Sequence, residues 1–556
     1  MRILLTYKTT GRAAADPYTS LLPVGLGSIC AVLRREGMDA RLANFSPFSW
    51  EKTESLLAEE RPALVGISQF THNRFAALRL AELAKRLNPR CYVVLGGPHA
   101  THRSRELLAG FPSVDAVVLG EGEETFLDLV RHLQENGDRD LSVIRGVALR
   151  RRGEIVVTPP RPPIADLDAL PSAVSCYDDA IGVGRQRQLE FVITSRGCPA
   201  SCRFCSSPLF WGHALRFRSP RAIVDELRAI RDRYGLLYFS LRDDTFTADR
   251  RRVLEFCRLL VEERLYIVWN CQSRVTSVDG EMLGWMKRAG CECVQYGVES
   301  GSERILKSLG KRITPSQIRQ AAAATRRAGL HFSIYLITGV PGETTEDLQS
   351  TLRLIDDIRP HDGQVSPLAC YPGTGLFADM LASGEGSADM FERDHREAFY
   401  LRDDPFVPLS TRKLLDRLTR SAERSRFRPA DFAAQNRLLG FCYGTNLMAG
   451  ELYEAEGDTL RAEGEYREII ERQPDNPWGW MALGELHGEG GDVAGAEKAF
   501  LRVLDLVPTH VPALVALGDL SRLRGDRLRA ETWYRHALRL DPGEPTALAG
   551  LKRLKK

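Results

Sequence analysis

Three cysteines within eight residues constrain this chain more than any other feature of its sequence. Cys198, Cys202 and Cys205 have the spacing C-x3-C-x2-C, so one loop can turn all three sulfurs toward a single inorganic cluster. An iron–sulfur cubane normally binds four cysteine thiolates. Three thiolates leave one iron open to a ligand that the protein does not supply. The loop therefore predicts a [4Fe-4S] cluster in which one iron has no cysteine ligand.

Zinc and disulfide bonds are the alternatives for this cluster loop (195–205). Structural zinc usually takes four protein ligands in paired groups, and no second C-x2-C pair follows at zinc-ribbon spacing. Three cysteines this close cannot all pair as disulfides, and nothing in the sequence indicates secretion. Both alternatives are therefore weaker than the cluster.

The loop also resembles the signature of the radical S-adenosylmethionine (SAM) superfamily, because an aromatic residue, Phe204, precedes its last cysteine. The resemblance implies that the open iron chelates the amino and carboxylate groups of SAM. It implies that the reduced cluster cleaves SAM to methionine and a 5′-deoxyadenosyl radical, and that Phe204 lies against the adenine. An external electron donor of the flavodoxin or ferredoxin type is then required.

Length and charge narrow the class of protein further. The 556 residues predict about three or four domains on a prior of roughly 100–200 residues each. Charged residues make up 27% of the chain and nearly balance at a net charge of +3, which does not favour nucleic acid or a membrane surface as partner. The first residues are too briefly apolar for a signal peptide or a membrane span, so we expect a cytoplasmic protein.

Residues 1–150 alternate short apolar strands with helices. This pattern predicts a flavodoxin- or Rossmann-like α/β domain with a parallel sheet covered on both faces. Ligands of such sheets bind beyond the carboxyl ends of the strands. Polar and glycine-rich turns follow three of these strands, at Ser68-Gln69-Phe70-Thr71, Gly96-Gly97-Pro98-His99 and Gly120-Glu121-Gly122-Glu123-Glu124.

These turns resemble the V-G-I-S, G-G-P-H and G-E-G-E-E runs of the cobalamin-binding domain that precedes some radical SAM domains. The resemblance implies that cobalamin binds here. The chain lacks a D-x-H-x-x-G motif, so the implied cobalamin has no histidine on its lower face. A flavodoxin-like domain that has lost its ligand is the alternative. The implied cobalamin contacts are Ser68, Gln69, Thr71, Gly96, Gly97 and Glu121.

A proline-rich linker is predicted at 151–185, and βα units over 186–395 predict a full or partial (β/α) barrel. Active residues of such barrels collect at the carboxyl ends of the strands. The residues predicted there are Asp243, Asp244, Ser273, Arg274, Glu299, Ser300 and Gly339. The radical SAM resemblance implies that they contact SAM.

The resemblance also divides these contacts among the parts of SAM. Asp243 and Asp244 would bind the methionine amino group, and Arg274 its carboxylate. Glu299 and Ser300 would reach the ribose or methionine moiety, and the turn at Gly339 would run beneath the adenine. The alternatives are a helix N-cap for the aspartate pair, a structural salt bridge for Arg274 and a simple tight turn for Gly339.

A connecting helical segment is predicted at 396–440, and a repeat with a 34-residue period follows at 441–556. Its prolines, glycines and aromatic residues recur in register, so that small residues allow close helix packing. The period resembles the tetratricopeptide repeat (TPR), an all-α solenoid that binds protein or peptide segments. A structural lid or dimer surface is the alternative. The recurring positions are Pro474, Pro508 and Pro542; Gly450, Gly484 and Gly518; and Tyr466, Phe500 and Tyr534.

Together these features favour a cobalamin-dependent radical SAM enzyme. The expected reaction is methylation of an unactivated carbon or a phosphinate of a natural-product, lipid or peptide substrate. A radical cyclisation, rearrangement or oxidation without methyl transfer is the first alternative. The second is a non-catalytic TPR scaffold that retains the cluster domain. A tRNA thiomethyl modifier is disfavoured, because the tail is a helical repeat and 1–150 holds only two cysteines.

Overall fold

The amino-terminal domain is built on a seven-stranded sheet. In the computed structural model, which describes residues 1–16, 18–135 and 140–555, the strand order is β2-β1-β3-β4-β5-β6-β7 and the first five strands are parallel. The strands are β1 (Ile3–Tyr7), β2 (Ala40–Asn44), β3 (Leu64–Ser68), β4 (Tyr92–Gly96), β5 (Ala116–Val118), β6 (Val147–Arg151) and β7 (Glu154–Val157). The helices are α1 (Gly11–Ala15), α2 (Val24–Arg35), α3 (Trp50–Glu60), α4 (Arg74–Leu87), α5 (Pro98–His102), α6 (Ser104–Gly110) and α7 (Glu123–Glu135).

Helices cover both faces of this sheet, as predicted. Every residue of β1 and β3 is buried, which is the pattern of strands enclosed on two sides. Helices α2 and α7 contribute to one apolar core, and α3, α4 and α6 contribute to another on the opposite face. The apolar periodicity of this domain predicts its last helix over 124–136; it corresponds to α7, and Asn136 lies outside the described residues.

The antiparallel hairpin β6–β7 was not predicted, and it occupies the first residues of the expected linker. Its two-residue turn, Arg152-Gly153, has both φ angles positive, as a type I′ turn requires. Arginine is an unusual residue at the first of these positions, where asparagine or aspartate is typical. The turn therefore lacked its usual sequence signal.

The second domain is an open half-barrel. Its sheet has the order β15-β14-β13-β12-β11-β8, and all neighbouring strands are parallel. The sheet does not close, because β8 and β15 are its edges. Of the two predicted forms, a full or a partial barrel, the structure is the partial one. The strands are β8 (Phe191–Val192), the separate pair β9 (Ser195–Arg196) and β10 (Arg216–Phe217), β11 (Tyr238–Leu241), β12 (Val268–Ser273), β13 (Cys291–Glu299), β14 (His331–Thr338) and β15 (Asp362–Pro367).

Helices cover the outer face of the half-barrel, and polar side chains occupy its inner face. Trp269, Val294 and Phe332 belong to the main apolar core. Residues of the opposite pleat, such as Ser240 and Asn270, bond to each other on the inner face. The helices are α8 (Arg185–Leu189), α9 (Ser207–Trp211), α10 (Pro220–Tyr234), α11 (Arg250–Glu262), α12 (Gly280–Arg288), α13 (Glu303–Ser308), α14 (Pro315–Arg327), α15 (Thr345–Ile358), α16 (Gly375–Ser383), α17 (Met390–Arg393), α18 (Phe406–Ser425) and α19 (Pro429–Leu439).

Three helical hairpins and a final helix form the repeat array, as predicted. A Cβ at Gly450 would lie 2.2 Å from the ring of Tyr466, and one at Gly518 would lie 2.5 Å from Tyr534. Only glycine allows each ring to pack this closely, which explains the recurring pairs. The helices are α20 (Tyr443–Ala455), α21 (Thr459–Arg472), α22 (Pro477–Glu489), α23 (Val493–Leu506), α24 (Val511–Leu523), α25 (Arg527–Leu540) and α26 (Pro545–Leu554).

The array packs against the amino ends of the half-barrel strands. The Tyr443 hydroxyl donates to the Ile267 carbonyl at 2.6 Å, just before β12 begins, and the Trp478 indole donates to the Tyr266 carbonyl at 3.3 Å. The repeats are therefore at the opposite end of the barrel from the strand ends that carry the predicted site. No helix among the described residues has an apolar run long enough to cross a membrane. The cytoplasmic location stays a prediction.

Candidate active site

Gly197, near the start of the cluster loop, has a backbone position that favours glycine. Gly197 has φ of +98°, and a Cβ there would lie 2.2 Å from the Ala214 carbonyl oxygen. Strand β8, which leads into the loop, has only two residues, because α8 continues to Leu189 and the hydrogen bonds of Thr194 go to Asp243.

The three cysteines of the loop are close enough for Cys198 and Cys202 to affect the ionisation of Cys205. All three are free thiols, with Cys198 buried and the other two half-buried. Burial, together with the nearby charges of Asp244, Cys202 and Cys198, raises the pKa of Cys205 to about 11. Three thiolates this close repel one another, so they need a strongly positive centre between them.

The number and type of the ligands favour a cluster over a single zinc ion. Structural zinc usually takes four protein ligands, whereas this loop supplies three free thiols. Three thiolates fit an iron–sulfur cubane that leaves one iron open.

Asp243 anchors the base of the cluster loop. Its carboxylate accepts hydrogen bonds from the Thr194 backbone N–H and hydroxyl, both at 2.5 Å, and from the Ser195 N–H at 3.1 Å. Arg252 lies 3.8 Å away, and both side chains are almost completely buried. The carboxylate oxygens are therefore occupied by the loop itself, and the SAM contact predicted for Asp243 stays a prediction.

Asp244 has an accessible side chain, unlike its neighbour. It accepts a hydrogen bond from the Ser207 hydroxyl, and desolvation by the surrounding protein raises the pKa of its carboxyl. The N-cap alternative for this aspartate pair is wrong, because Asp249 caps the following helix α11 through the Arg252 N–H. Asp244 is thus the member of the pair that is free to meet a ligand.

Arg274 lies beside the cluster loop without a carboxylate partner among the described residues. Its guanidinium is 3.9 Å from the Cys202 sulfur and donates to the Lys311 carbonyl at 3.2 Å. The salt-bridge alternative is therefore not observed. An unpaired guanidinium next to the cluster has the chemistry to bind a carboxylate such as that of methionine.

Glu299 forms a buried ion pair behind this arginine. Its carboxylate is 2.5 Å from the Lys311 Nζ, and each side chain is only 7% exposed. Glu299 also has φ of +65°, at a register shift between β13 and β14. Backbone strain of this kind is concentrated at functional sites. Glu299 and Lys311 thus position the segment that holds Arg274.

The remaining predicted SAM contacts are bonded within the protein. Ser273 is 2.5 Å from the Thr247 hydroxyl, and Ser300 is 3.1 Å from the Thr351 hydroxyl. Gly339 has φ of +75° and donates its N–H to Glu343 at 2.8 Å. Phe204 packs on a small apolar cluster at this end of the barrel. All of them lie at or beside strand ends, and their roles toward SAM stay predictions.

A cavity of about 420 Å³ separates the first sheet from the cluster loop. Four of the predicted cobalamin contacts, Ser68, Gly96, Gly97 and Glu121, line it, and their contact with cobalamin stays a prediction. A Cβ at Gly120 would meet open space, so the backbone at this strand end is accessible to a ligand. The mainly apolar, glycine-bearing lining at the carboxyl edge of the sheet fits a large flat ligand such as cobalamin.

Two of the predicted cobalamin contacts lie outside this lining. Gln69 is fully buried and bonds through its backbone to the Gly96 carbonyl at 2.8 Å. The Thr71 hydroxyl is 3.1 Å from Nδ1 of His99, and burial lowers the pKa of this histidine to about 3. These side chains support the loops that border the cavity.

Ion pairs join the two domains at the cavity. Arg196 pairs with Glu123 at 2.5 Å, Arg216 pairs with Glu121 at 2.5 Å, and the two glutamates are only 3% and 8% exposed. Arg196 also lies 5.0 Å from the Trp211 ring centroid, and both line the cavity. Sequence reasoning missed this arginine pair, because a contact between distant domains leaves no local pattern.

Comparisons with known proteins agree with this architecture. Residues 13–130 match the B12 binding domain, residues 192–355 the radical SAM superfamily, and residues 447–511 and 482–545 the tetratricopeptide repeat. The chain is 33% identical over 395 residues to an uncharacterised methyltransferase of Pyrococcus horikoshii, spanning 69% of this chain and 84% of the relative.

Two further comparisons extend this result. The anaerobic magnesium-protoporphyrin IX monomethyl ester cyclase of Rubrivivax gelatinosus is 27% identical over 389 residues, which are 68% of this chain and 70% of the relative. The solved structure of the radical S-adenosylmethionine methyltransferase TsrM from Kitasatospora setae, with cobalamin and a [4Fe-4S] cluster bound, has a TM-score of 0.61 at 17% identity. That alignment covers 84% of this chain and 99% of TsrM, and it shows a shared fold.

A B12-binding domain that shares a cavity with a radical SAM domain defines a class of two-cofactor enzymes. This chain belongs to the cobalamin-dependent radical SAM enzymes, with a TPR array after the catalytic domain. Its cofactors are a [4Fe-4S] cluster, SAM and cobalamin. The predicted family, fold class and cofactors are confirmed.

Proposed function

We propose that this enzyme transfers a methyl group to an unactivated carbon, or to a phosphinate, of a small-molecule or peptide substrate. The observation that carries the proposal is the shared cavity, because residues of the cluster loop and of the cobalamin-binding edge line the same space. When bound, cobalamin would supply the methyl group, and the cluster with SAM would supply the radical that activates the substrate. The similarity to a methyltransferase over most of its length supports this reaction.

The chain's own residues would bind, orient and shield the reactants. Arg274 and the accessible Asp244 would hold the carboxylate and amino groups of methionine, and Phe204 would lie against the adenine. The apolar cavity lining would exclude water from the reacting centres. The interdomain pairs of Arg196 and Arg216 would fix the distance between the two cofactor sites.

Radical chemistry without methyl transfer is the second candidate. Its support is the similarity to an anaerobic cyclase over 70% of that protein. The two reactions differ in their products from SAM. Methyl transfer gives S-adenosylhomocysteine together with 5′-deoxyadenosine, whereas a cyclisation or oxidation gives 5′-deoxyadenosine alone.

The test is anaerobic reconstitution followed by product analysis. Iron, sulfide and cobalt per chain are measured first, and both SAM products are then quantified after reduction with a flavodoxin or ferredoxin system. Formation of both products supports methyl transfer. Cobalamin binding with 5′-deoxyadenosine alone would favour the second candidate, and a Cys202→Ala variant is the control for the radical step.

We also propose that the repeats bind a protein or peptide partner. They pack at the amino ends of the barrel strands, away from the cavity. Such a partner would therefore bind outside the reaction space.

A further inference from the structure

Arg242 is an arginine on the inner face of the half-barrel with no acidic partner. It follows β11, and its Nη1 donates to the Gln295 side-chain oxygen on β13 at 3.1 Å. Its Nε is fully buried and has no hydrogen-bond acceptor in the described chain. No carboxylate among these residues lies within 4.0 Å of the guanidinium. A half-buried cation without a counterion is costly, so the position calls for an anion that the protein does not supply.

The neighbours of Arg242 add hydrogen-bond donors. Gln295 accepts through the same oxygen from the Tyr335 hydroxyl on β14, at 2.8 Å. Because an arginine can only donate, that amide oxygen must face Arg242, which leaves the amide N–H groups for another acceptor. The amide nitrogen has no acceptor among the described residues. The guanidinium and the amide N–H groups therefore form one patch of donors, and the Tyr335 hydroxyl, whose proton goes to Gln295, holds that amide in place.

This patch lies beside a residue that lines the cavity and next to the base of the cluster loop. The Arg242 guanidinium is 5.1 Å from the ring centroid of Phe191, and Phe191 lines the cavity. The next residue in the chain, Asp243, holds the base of the cluster loop. The Tyr18 ring, at 5.0 Å, covers the guanidinium from the amino-terminal domain. A group bound to Arg242 would thus lie where a substrate must meet both the methyl source and the radical.

We propose that Arg242 and the Gln295 amide, which Tyr335 holds in place, bind an anionic oxygen group of the substrate, a carboxylate or a phosphoryl group. A guanidinium fork and neighbouring N–H donors match the planar or tetrahedral oxygens of such groups. The inference rests on the proposed function and deepens it, because it names a charged group of the substrate. A neutral lipid substrate would leave the arginine unpaired.

The chain provides a matched control in Arg187. This arginine contacts the same two rings, with 5.6 Å to Tyr18 and 5.4 Å to Phe191. It is already paired with Glu190 at 3.0 Å. Arg242→Gln and Arg187→Gln therefore remove the same charge beside the same rings, but only the first removes an unpaired cation.

The experiment measures binding of small probes to the reconstituted full chain, with the cluster oxidised and SAM saturating. Benzoate, phenyl phosphate and neutral benzyl alcohol are titrated by ligand-detected NMR, and the cobalamin absorption spectrum shows that no probe coordinates cobalt. We expect at least one anion to bind at millimolar concentration and at least tenfold more tightly than the alcohol. Arg242→Gln should weaken it about tenfold or more, and Arg187→Gln should leave it unchanged. The anion that binds more tightly shows whether the charged group of the substrate is a carboxylate or a phosphoryl group.

Equal binding of anion and alcohol, no anion binding, or equal effects of the two variants would overturn the proposal. If Arg242→Gln loses its cluster, Gln295→Glu replaces it in the test, because a carboxylate there would neutralise Arg242 and should abolish anion binding. No reductant is present, so the result does not depend on methyl transfer. Failure of this subsite is therefore distinguishable from failure of the proposed reaction.

Discussion

The two adjacent aspartates after β11 should separate loop anchoring from SAM binding. Asp243→Asn removes the charge that accepts three hydrogen bonds from Thr194 and Ser195, at the start of the cluster loop, and turns an amide toward Arg252. A hydrogen bond to a charged group contributes ~1.5–3 kcal/mol, and removing one partner of a buried ion pair costs ~3–5 kcal/mol. Because the amide keeps one acceptor for the backbone, we expect a loss of about 3 kcal/mol. At ~2–4 °C per kcal/mol for a domain of this size, the catalytic domain should unfold roughly 6–12 °C lower.

Asp244→Asn is the matched change, since it alters the same residue type one position later. Its side chain is accessible and has a single hydrogen bond to Ser207, so we expect a stability change of less than ~1 kcal/mol. Its effect should instead be weaker SAM binding. The assays are thermal unfolding, iron and sulfide per reconstituted chain, and SAM affinity for each variant.

The expected pattern is therefore opposite for the two variants. Asp243→Asn should unfold earlier and bind less iron, whereas Asp244→Asn should bind iron normally and SAM poorly. If Asp243→Asn unfolds like the wild type, holds a full cluster and loses only SAM affinity, the anchoring role derived from its hydrogen bonds is wrong.

Three other changes test the packing and electrostatics of the chain. Gly518→Ala should destabilise the repeats by ~1–3 kcal/mol in thermal unfolding, because its Cβ would overlap an aromatic ring, while Gly464→Ala, with open space around it, should be neutral or stabilising. Lys311→Met should cost ~3–5 kcal/mol, because it leaves the Glu299 carboxylate buried and unpaired; unchanged denaturant unfolding would contradict the buried pair. Burial lowers the pKa of His510 to about 4, so only the unfolded chain binds this proton between about pH 6.5 and 4, and stability falls as the pH drops through that range. At pH 5 the loss is about 2 kcal/mol relative to pH 7, and His510→Asn should remove that share of the acid sensitivity.

The sequence predicted those features whose cause is local. Alternating apolar strands and helices produced the two α/β domains, and the 34-residue period gave the repeat helices with their glycine–aromatic pairs. The hairpin β6–β7 was missed because its turn uses Arg152 where asparagine is typical. The cysteine spacing was sufficient for the cluster, since three ligands in one loop do not depend on the remaining fold.

Side-chain roles at the strand ends could not be predicted in the same way. Strand ends bring many polar residues together, but their hydrogen bonds depend on partners far along the chain. Asp243 bonds to Thr194, 49 residues earlier, and its neighbour Asp244 remains accessible. Arg242 had no predicted role, because its sequence neighbours are two aspartates and nothing local shows which group it contacts. Only the fold shows that neither aspartate reaches it.

The junction between the cofactor domains explains why neither site can be understood from its own domain. Arg196 lies two residues before the first cluster cysteine, and its partner Glu123 is the first residue of α7 in the cobalamin-binding domain. Moving the first domain would therefore pull directly on the cluster loop. Because both glutamates of the junction are almost completely buried, separation of the domains would leave unpaired charges and is strongly opposed. The distance between the cluster and the cavity is thus a property of the assembled chain, and this fixed distance is what chemistry involving two cofactors and one substrate requires.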